Sequence, residues 1–297
     1  MKIRNLFFIA FLSVSMLVQA QVKLSFNPEK GQKYSYLFET EQDMKQTFMG
    51  QELPTQVVMT MLMDMDISEK NNDETTLTST YNAIKMSIAN PMMSVEYDSQ
   101  RPKENPTEIE NMIATIFLGL IGKSFSVNID QTGSVKSVSG MDELIQGLLR
   151  VLPQDNPAMQ QMSGPFLQSF NDDAMKNMFE QSFKIYPANP VNVGDSWEGN
   201  ITTAIMGMNQ TMNNTYMLKA IEGNTAVMDV ASTFVFNPEG SIEGEISGSQ
   251  SGQMSLDVKT GMPQTSSVIQ KYQGKLNAQG AEILLAVEGK VTFQLQK

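Results

Sequence analysis

Alternation between apolar and polar side chains over residues 57–67 constrains the fold more than any other feature of the sequence. Apolar residues occupy every second position there, and the residues between them become progressively more polar. A period of two places alternate side chains on opposite faces of a strand, whereas a helix would scatter the apolar set around its axis. The segment therefore predicts a β-strand whose apolar face carries Val57, Met59, Met61, Met63, Met65 and Ile67.

Further extended segments lie on both sides of this strand. Tyr34, Tyr36 and Phe38 alternate upstream, and residues 75–88, 92–98, 125–129 and 135–138 follow downstream. Strand patterns punctuated by Gly, Asn and Pro return after residue 190, at 197–205, 211–221, 226–236, 252–258, 264–274 and 283–295. The Gly/Ser-rich residues 240–252 predict an exposed loop or a frayed strand instead.

Three segments in the middle of the chain have helical periodicity. Asn105 as N-cap, Pro106 as the first helical residue and Glu108 predict one helix, with an apolar stripe that includes Ile113 and Phe117. A second helix begins near Ser139 and carries leucines that include Leu148, and a third begins at 171 or 172 with Met175, Met178, Phe179 and Phe183 on one face. Residues 153–165 predict a loop.

These elements predict an α+β fold with a curved, mostly antiparallel sheet, a half-barrel with about three helices packed on its concave face. Gly31 and Tyr34 open one strand set as Gly194 and Trp197 open another, and each set contains an Asp–Gly turn, at 130–133 and at 257–261. We therefore predict one pseudo-duplicated domain, 21–297, with strand sets at 31–138 and 191–297 and a helical middle at 139–185.

Residues 1–20 have the pattern of a secretory signal peptide, with Lys2 and Arg4 before an apolar run and a cleavage site after Ala20. No later apolar run approaches the length of about 18–20 residues that crosses a bilayer. The chain has no Cys, so a lipid anchor at the cleavage point is excluded. We expect a periplasmic or secreted protein.

The absence of Cys and His excludes whole classes of chemistry. Thiol nucleophiles, disulfides, thiolate zinc sites, Ser–His pairs and imidazole–metal sites are all impossible. A net charge of −11 without basic clusters disfavours nucleic acid and anionic membrane surfaces as partners. Carboxylate pairs, Ser–Lys pairs and oxygen-ligand metal sites remain possible, but Asp64 and Asp66, which share a strand face, lack calcium-loop spacing, and the sequence nominates no Ser–Lys motif or converging carboxylate pair. A hydrolase that uses carboxylates is therefore the last-ranked alternative, and we expect no metal, no cofactor and no enzymatic activity.

The 24 methionines are the unusual feature of the composition. Met is flexible and fills irregular core gaps, and a face of Met can also repack around variable lipids or peptides. Thioethers are Cu(I) ligands as well, and a second Met-x-Met segment occurs at Met206-Gly207-Met208. Alternate side chains on one strand lie about 6.5–7 Å apart, however, which is too far for one ion without help from another strand. Core filling and an adaptable pocket both remain open.

Several short motifs extend along the chain: Gly31-x-x-Tyr34, Tyr97-Asp98-Ser99, the 130–133 hairpin and above all the segment from Pro190 through Val193-Gly194-Asp195-Ser196-Trp197. In these motifs the chain resembles a family of secreted Bacteroidota proteins of unknown function. The resemblance implies no activity or ligand. The expected architecture is also similar to the lipoprotein-carrier fold of the bacterial envelope, in which a half-barrel shelters acyl chains.

Our leading hypothesis is a non-enzymatic binding protein that holds a lipid, an acyl chain or an apolar peptide between sheet and helices. The expected groove wall comprises Met59, Met61, Met63, Met65, Ile113, Phe117, Leu148 and Phe179. The alternative is an envelope interaction or scaffold module, for which residues 240–252 or a strand edge would be the contact. A sheet–helix interface without a cavity of about 300 Å³ would favour the scaffold over the carrier.

Overall fold

The computed structural model describes residues 21–151, 171–205, 208–238, 242–278 and 281–296. Twelve antiparallel strands form one sheet in this part of the chain. The strands are β1 (Lys33–Phe48), β2 (Gln51–Lys70), β3 (Glu74–Asn90), β4 (Met93–Asp98), β5 (Ser124–Asp130), β6 (Val135–Ser139), β7 (Ser196–Ile205), β8 (Met208–Glu222), β9 (Thr225–Pro238), β10 (Ile242–Asp257), β11 (Pro263–Ala278) and β12 (Ala281–Gln296).

The order of the strands brings the first and the last strand of the sheet together. The sheet runs β6-β5-β3-β2-β1-β12-β11-β10-β9-β8-β7, and β4 pairs with the remaining length of β3. β12 pairs with β1 over fourteen residue positions, from Ser35 opposite Gln296 to Phe48 opposite Ile283. The sheet is open, with β6 and β7 at its two edges, which confirms the predicted antiparallel fold class with three helices.

The described ranges contain three helices beside the sheet: α1 (Glu108–Leu118), α2 (Met141–Val151) and α3 (Asp172–Phe183). The predicted N-cap of α1 at Asn105 was wrong by two residues. Thr107 caps the helix instead, because its side chain and that of Glu110 form a reciprocal capping box. The third helix begins as predicted, with Asn171 as N-cap. The predicted loop at 153–165 lies outside the described residues.

α3 spans the gap between the two edge strands. It contacts both β6 and β7, while α1 lies against β4 and α2 against β5. Met175, Phe179 and Phe183 of α3 are buried in the same apolar cluster as Met63 and Met65. The helix therefore packs on the face of the sheet that carries the methionine row, which we call the inner face.

The outer face of the sheet is polar. Cross-strand ion pairs join Lys45 to Glu52 at 3.9 Å and Lys271 to Glu288 at 2.8 Å. Exposed pairs of this kind contribute little to stability, about 0–1 kcal/mol each. Burial of the apolar inner face is therefore the main source of stability.

The two strand sets have corresponding features. β1, β2, β3, β5 and β6 follow one another across the sheet as β7 to β11 do. The N–H group of Gly31 donates to β2, and that of Gly194 donates to the equivalent position of β8. Register shifts fall between Asn128 and Ile129 in β5 and between Ser255 and Leu256 in β10, at the same distance before Asp130 and Asp257. β12 follows the second set and pairs with β1, whereas α3 follows the first set and contacts β7.

The prediction of a loop or frayed strand at residues 240–252 was wrong. From Ile246 onward this segment is the middle of β10, paired on both sides by β9 and β11. Its glycines have no room for a side chain, because backbone atoms of β11 and, at Gly248, the Phe234 ring occupy the space where a Cβ atom would lie. A Cβ atom at Gly248 would lie 2.6 Å from the Phe234 ring, and the rings of Phe234 and Tyr272 meet with centroids 4.9 Å apart.

Candidate functional site

A cavity of about 180 Å³ lies between α3 and the inner face of β1, β2 and β12. Met178 and Ser182 belong to its wall and are also exposed, so the cavity opens to solvent beside α3. Its wall consists of Tyr36, Phe38, Met61, Met63, Met65, Met178, Phe179, Ser182, Phe183, Pro263 and Phe293.

Strand alternation and register bring the sheet residues of this wall together. Met61, Met63 and Met65 share a face because the side-chain period of β2 is two. Phe38 lies opposite Met61 on one side and opposite Phe293 on the other. Directly opposed side chains lie about 4.5–5.5 Å apart, which is contact distance for Met and Phe.

α3 supplies the remaining wall through two adjacent pairs of residues. Residues 182 and 183 lie about one helical turn after residues 178 and 179, so all four lie on one side of the helix. The Phe179 ring is parallel to that of Phe183, with centroids 5.9 Å apart, and edge-on to that of Phe125 at 5.7 Å. These aromatic contacts fix the height of α3 above the sheet.

The polar atoms of the cavity wall are already hydrogen-bonded within the protein. The Tyr36 hydroxyl donates to the Pro263 carbonyl oxygen at 2.8 Å, and the Ser182 hydroxyl donates to the Met178 carbonyl oxygen at 3.2 Å. Burial raises the pKa of Tyr36 well above its ordinary value, with smaller contributions from nearby tyrosines. Among the residues that the structure describes, no carboxylate, lysine or arginine lines the cavity. The wall therefore suits an uncharged apolar group.

Four of the eight predicted wall residues, Met61, Met63, Met65 and Phe179, line the cavity. Met59 is half-buried one position further along the row, and Ile113 and Phe117 of α1 belong to the same apolar cluster without reaching the cavity. The side chain of Leu148 lies outside the described part of the structure. Sequence analysis missed the contribution of β12, whose Phe293 becomes a wall residue only through pairing with β1.

The methionine row serves the core and the cavity together. Met63 is 1 % exposed and Met65 is 4 % exposed, and both line the cavity while belonging to the main apolar cluster. The two interpretations left open by the sequence are therefore compatible. Met206 and Gly207, from the second Met-x-Met segment, lie outside the described residues.

A partly buried carboxylate on α1 has a structural role. Glu110 accepts hydrogen bonds from Lys103 Nζ at 2.6 Å, from the Thr107 amide at 2.9 Å and from the Glu96 amide at 3.1 Å. The Lys103 hydrogen bond, followed by the two amides, lowers the pKa of Glu110 to about 2. The side chain stays ionised and joins α1 to β4.

The single Trp anchors an edge of the sheet. Trp197 Nε1 donates to the Ile185 carbonyl oxygen at 2.9 Å, and its ring stacks on Tyr216 with centroids 5.8 Å apart. This arrangement ties β7 to the segment that follows α3.

Asp66, considered above as a cation ligand, instead forms an ion pair with Lys33 at 3.1 Å.

The fold and the site define a class: an open antiparallel sheet with a helix-covered apolar cavity. A family model matches residues 72–263, and the chain belongs to that family, the family of unknown function DUF6263. Among the curated proteins compared with this chain, none matches it. No helix in the described ranges combines the length and apolar character needed to span a membrane.

Several solved structures are similar in part. A lipovitellin structure concerned with lipid–protein interactions is 9 % identical, with a TM-score of 0.47, over 91 % of this chain and 25 % of that one. This chain thus spans about a quarter of the lipovitellin chain. The β domain of the Bordetella autotransporter BrkA is 6 % identical, with a TM-score of 0.23, over 86 % of this chain and 98 % of that one. Salmonella typhi OmpF in complex with daunomycin is 7 % identical, with a TM-score of 0.25, over 91 % of this chain and 100 % of that one. Similarities at this level carry no argument about function.

Proposed function

We propose that this protein is an exported, non-enzymatic binding protein that holds an uncharged apolar group, such as the end of an acyl chain, in the cavity beneath α3. The observation that carries the proposal is the chemistry of the wall. Its side chains are apolar, and its two hydroxyl groups are internally bonded. A charged or strongly polar ligand would lose its hydration there without compensation.

The volume of the cavity limits the size of the ligand. Engineered apolar cavities of about 150 Å³ bind benzene, whereas pockets for drug-sized ligands measure about 300–1,000 Å³. A cavity of about 180 Å³ lies close to the first value and below the 300 Å³ expected of a carrier for a whole lipid. We therefore narrow the ligand to one chain end or one ring.

The wall also suits ligands of variable shape. Met61, Met63, Met65 and Met178 contribute flexible thioether side chains from both sheet and helix. Met adapts to irregular shapes at little energetic cost, which is why it is common at promiscuous binding surfaces. We expect binding to tolerate changes in chain branching.

A second candidate function, an interaction module, is favoured by the small cavity and by exposed apolar residues at two turns. Met49 is 79 % exposed at the β1–β2 turn, and Met92 is 82 % exposed at the β3–β4 turn. The sequence analysis proposed residues 240–252 as the contact surface of such a module. From Ile246 onward these residues offer no free strand edge, because β10 is paired on both sides by β9 and β11.

Native mass spectrometry of protein purified from its own host, with organic extraction of bound molecules, tests the proposal. Titration with a dansyl-labelled fatty acid then measures uptake. Ser182→Phe places a ring in the cavity mouth, and Ser267→Phe makes the same change at an exposed position of β11 outside the wall.

We expect a co-purifying apolar ligand, saturable uptake by wild type and Ser267→Phe, and at least a tenfold loss of affinity in Ser182→Phe. The unfolding midpoints of the two variants should be similar. Absence of both a co-purifying ligand and saturable uptake would remove the proposal, as would undiminished binding by Ser182→Phe. Either result would leave the interaction module as the better account.

A further inference from the structure

The turns at the two ends of the sheet differ in chemistry. Because neighbouring strands are antiparallel, the β2–β3, β5–β6 and β8–β9 turns lie at one end of the sheet, and the β1–β2 and β3–β4 turns lie at the other. The turns at the first end, 71–73, 131–134 and 223–224, consist of Asn, Asp, Gln, Thr, Ser and Gly, as is usual for turns. At the other end, both turns carry a strongly exposed methionine, Met49 and Met92.

Met49 occupies its turn in an unfavourable backbone conformation. Phe48 pairs with Gln51, so Met49 and Gly50 form a two-residue turn, in which their φ values are 50° and 78°. Positive φ at both central residues is the pattern of a type I′ turn, for which Asn-Gly is a preferred pair. Among the described residues, Met49 is the one non-glycine residue with positive φ. Neither the backbone conformation nor the exposure to water therefore favours Met at this position.

The apolar surface extends from Met49 to the adjacent hairpin. Phe48 lies directly opposite Ile283 of β12, which is followed by Leu284. Phe48 and Leu284 are exposed, and Ile283 is half-buried. We call Phe48, Met49, Ile283 and Leu284 the apolar tip. The first five residues of β2 have no partner in β3, so the apolar tip projects about 17 Å beyond the end of β3.

Two ion pairs lie just behind the apolar tip, one on each hairpin. Lys45 pairs with Glu52 at 3.9 Å on the β1–β2 hairpin, and Lys275 pairs with Glu282 on the β11–β12 hairpin. The residues between each ion pair and its turn are uncharged. Glu243 of the neighbouring strand β10 is exposed and adds a negative charge. The surroundings of the tip are thus neutral to negative, which suits a zwitterionic surface and disfavours an anionic one.

The inner face between the cavity and the apolar tip is uncharged on β1, β2 and β12. In β12, the inner positions run from the cavity residue Phe293 through Val291, Gly289, Val287 and Leu285 to Ile283. The inner positions of β1 between Phe38 and Phe48 are Thr, Gln and Met, and the charged residues of all three strands lie on the outer face. An apolar group can therefore move between cavity and tip without passing a charge on these strands.

We propose that the apolar tip docks on a neutral lipid bilayer, with Phe48 and Met49 inserted among zwitterionic headgroups and the upper part of the acyl chains. Insertion removes Met49 from water and so compensates for its unfavourable backbone conformation. The Lys45–Glu52 pair lies about 10 Å behind the turn, and apolar groups at a membrane interface reach about 5–10 Å into it. A bilayer surrounds a projecting group of any shape, whereas a protein partner needs a matching groove. This inference goes beyond the proposed function, because bilayer contact requires no ligand in the cavity.

Co-sedimentation of the purified protein with lipid vesicles tests the inference. One set of vesicles is pure phosphatidylcholine, and in the other a third of the lipid is phosphatidylglycerol. Met49→Asn introduces the residue that this turn prefers, so the thermal unfolding midpoint should stay the same or rise. The same change should lower the partition coefficient on phosphatidylcholine about tenfold, as expected for the loss of one inserted side chain of this size. Ile221→Asn is the matched control, because Ile221 is exposed beside a turn at the opposite end of the sheet, and it should leave binding unchanged.

We expect wild type to bind phosphatidylcholine vesicles, and to bind the vesicles with phosphatidylglycerol more weakly until salt screens the repulsion. Absence of wild-type binding to phosphatidylcholine, equal binding by wild type and Met49→Asn, or tighter binding to phosphatidylglycerol would each overturn the inference. Size-exclusion chromatography tests a second copy of this chain as the occupant of the tip. A dimer that Met49→Asn converts to a monomer, without vesicle binding, would overturn the inference in favour of self-association. Vesicle binding by a protein that takes up no dansyl-labelled fatty acid would remove the proposed function and leave this inference standing.

Discussion

The position of α3 on the inner face leads to a quantitative prediction for Phe179→Ala. Phe179 is 2 % exposed, and its ring contacts those of Phe125 and Phe183. Truncating a buried Phe to Ala destabilises proteins by about 3–5 kcal/mol, of which each aromatic pair contributes about 0.5–1.5 kcal/mol. One side of the ring faces the cavity and already lacks partner atoms there, so we expect a value near 3 kcal/mol.

Urea unfolding followed by far-ultraviolet circular dichroism measures this change, provided that the slope against urea is unaltered. Leu118→Ala is the matched control, because Leu118 is on α1 and 60 % exposed, and it should change stability by no more than about 0.5 kcal/mol. A loss below about 1 kcal/mol in Phe179→Ala, with native secondary structure, would show that α3 does not pack on the inner face. The reasoning that leads from helix to cavity would then be refuted.

Three other results are expected. The pKa of Glu110 is lowered from 4.5 to about 2, so its stabilising contribution is complete above about pH 4.5 and disappears as the pH falls towards 2. Glu110→Gln should therefore flatten the profile of stability against pH across that interval. Urea unfolding midpoints measured at each pH check this. Gly261 and Gly122 share a φ of 72°, but only at Gly261 would a Cβ atom overlap the Ser25 carbonyl oxygen. Gly261→Ala should therefore lose clearly more stability than the roughly 1 kcal/mol expected of Gly122→Ala. Equal losses in thermal melts would contradict this. Trp197 fluorescence should shift to the red in the same transition that circular dichroism reports, whereas an earlier shift would mean that β7 unfolds independently of the sheet.

The sequence was sufficient for the elements whose periodicity was strong. The β2 row from Val57 to Ile67 was predicted correctly because one face of the strand is buried and the other is more polar. α3 was predicted correctly because its apolar residues and its N-cap indicate the same helix start. The N-cap of α1 was misplaced because Asn105-Pro106 and Thr107 through Glu110 both satisfy capping rules. The structure has Thr107 as the N-cap, because its side chain and that of Glu110 form the reciprocal capping box.

Long-range pairing accounts for what sequence analysis missed. Phe293 faces Phe38 because β12 pairs with β1, and no local pattern in either strand specifies that partner. β10 was misjudged because its glycines have no apolar pattern of their own, and only its pairing with β9 and β11 makes it a central strand. The alignment of Asn214, Ser232, Gln250 and Gln270 across four strands was missed for the same reason, since each is an ordinary polar residue until the register aligns all four.

Crystals of the protein soaked with a methyl ester whose chain ends in bromine provide the most direct measurement, because anomalous scattering locates the bromine. We predict a bromine peak between α3 and β2, within contact distance of Met61, Met63 and Phe179. The Ser182→Phe variant should lose that peak. Bromine bound only on the outer face, or the same peak in wild type and in Ser182→Phe, would contradict the assignment of this cavity as the ligand site.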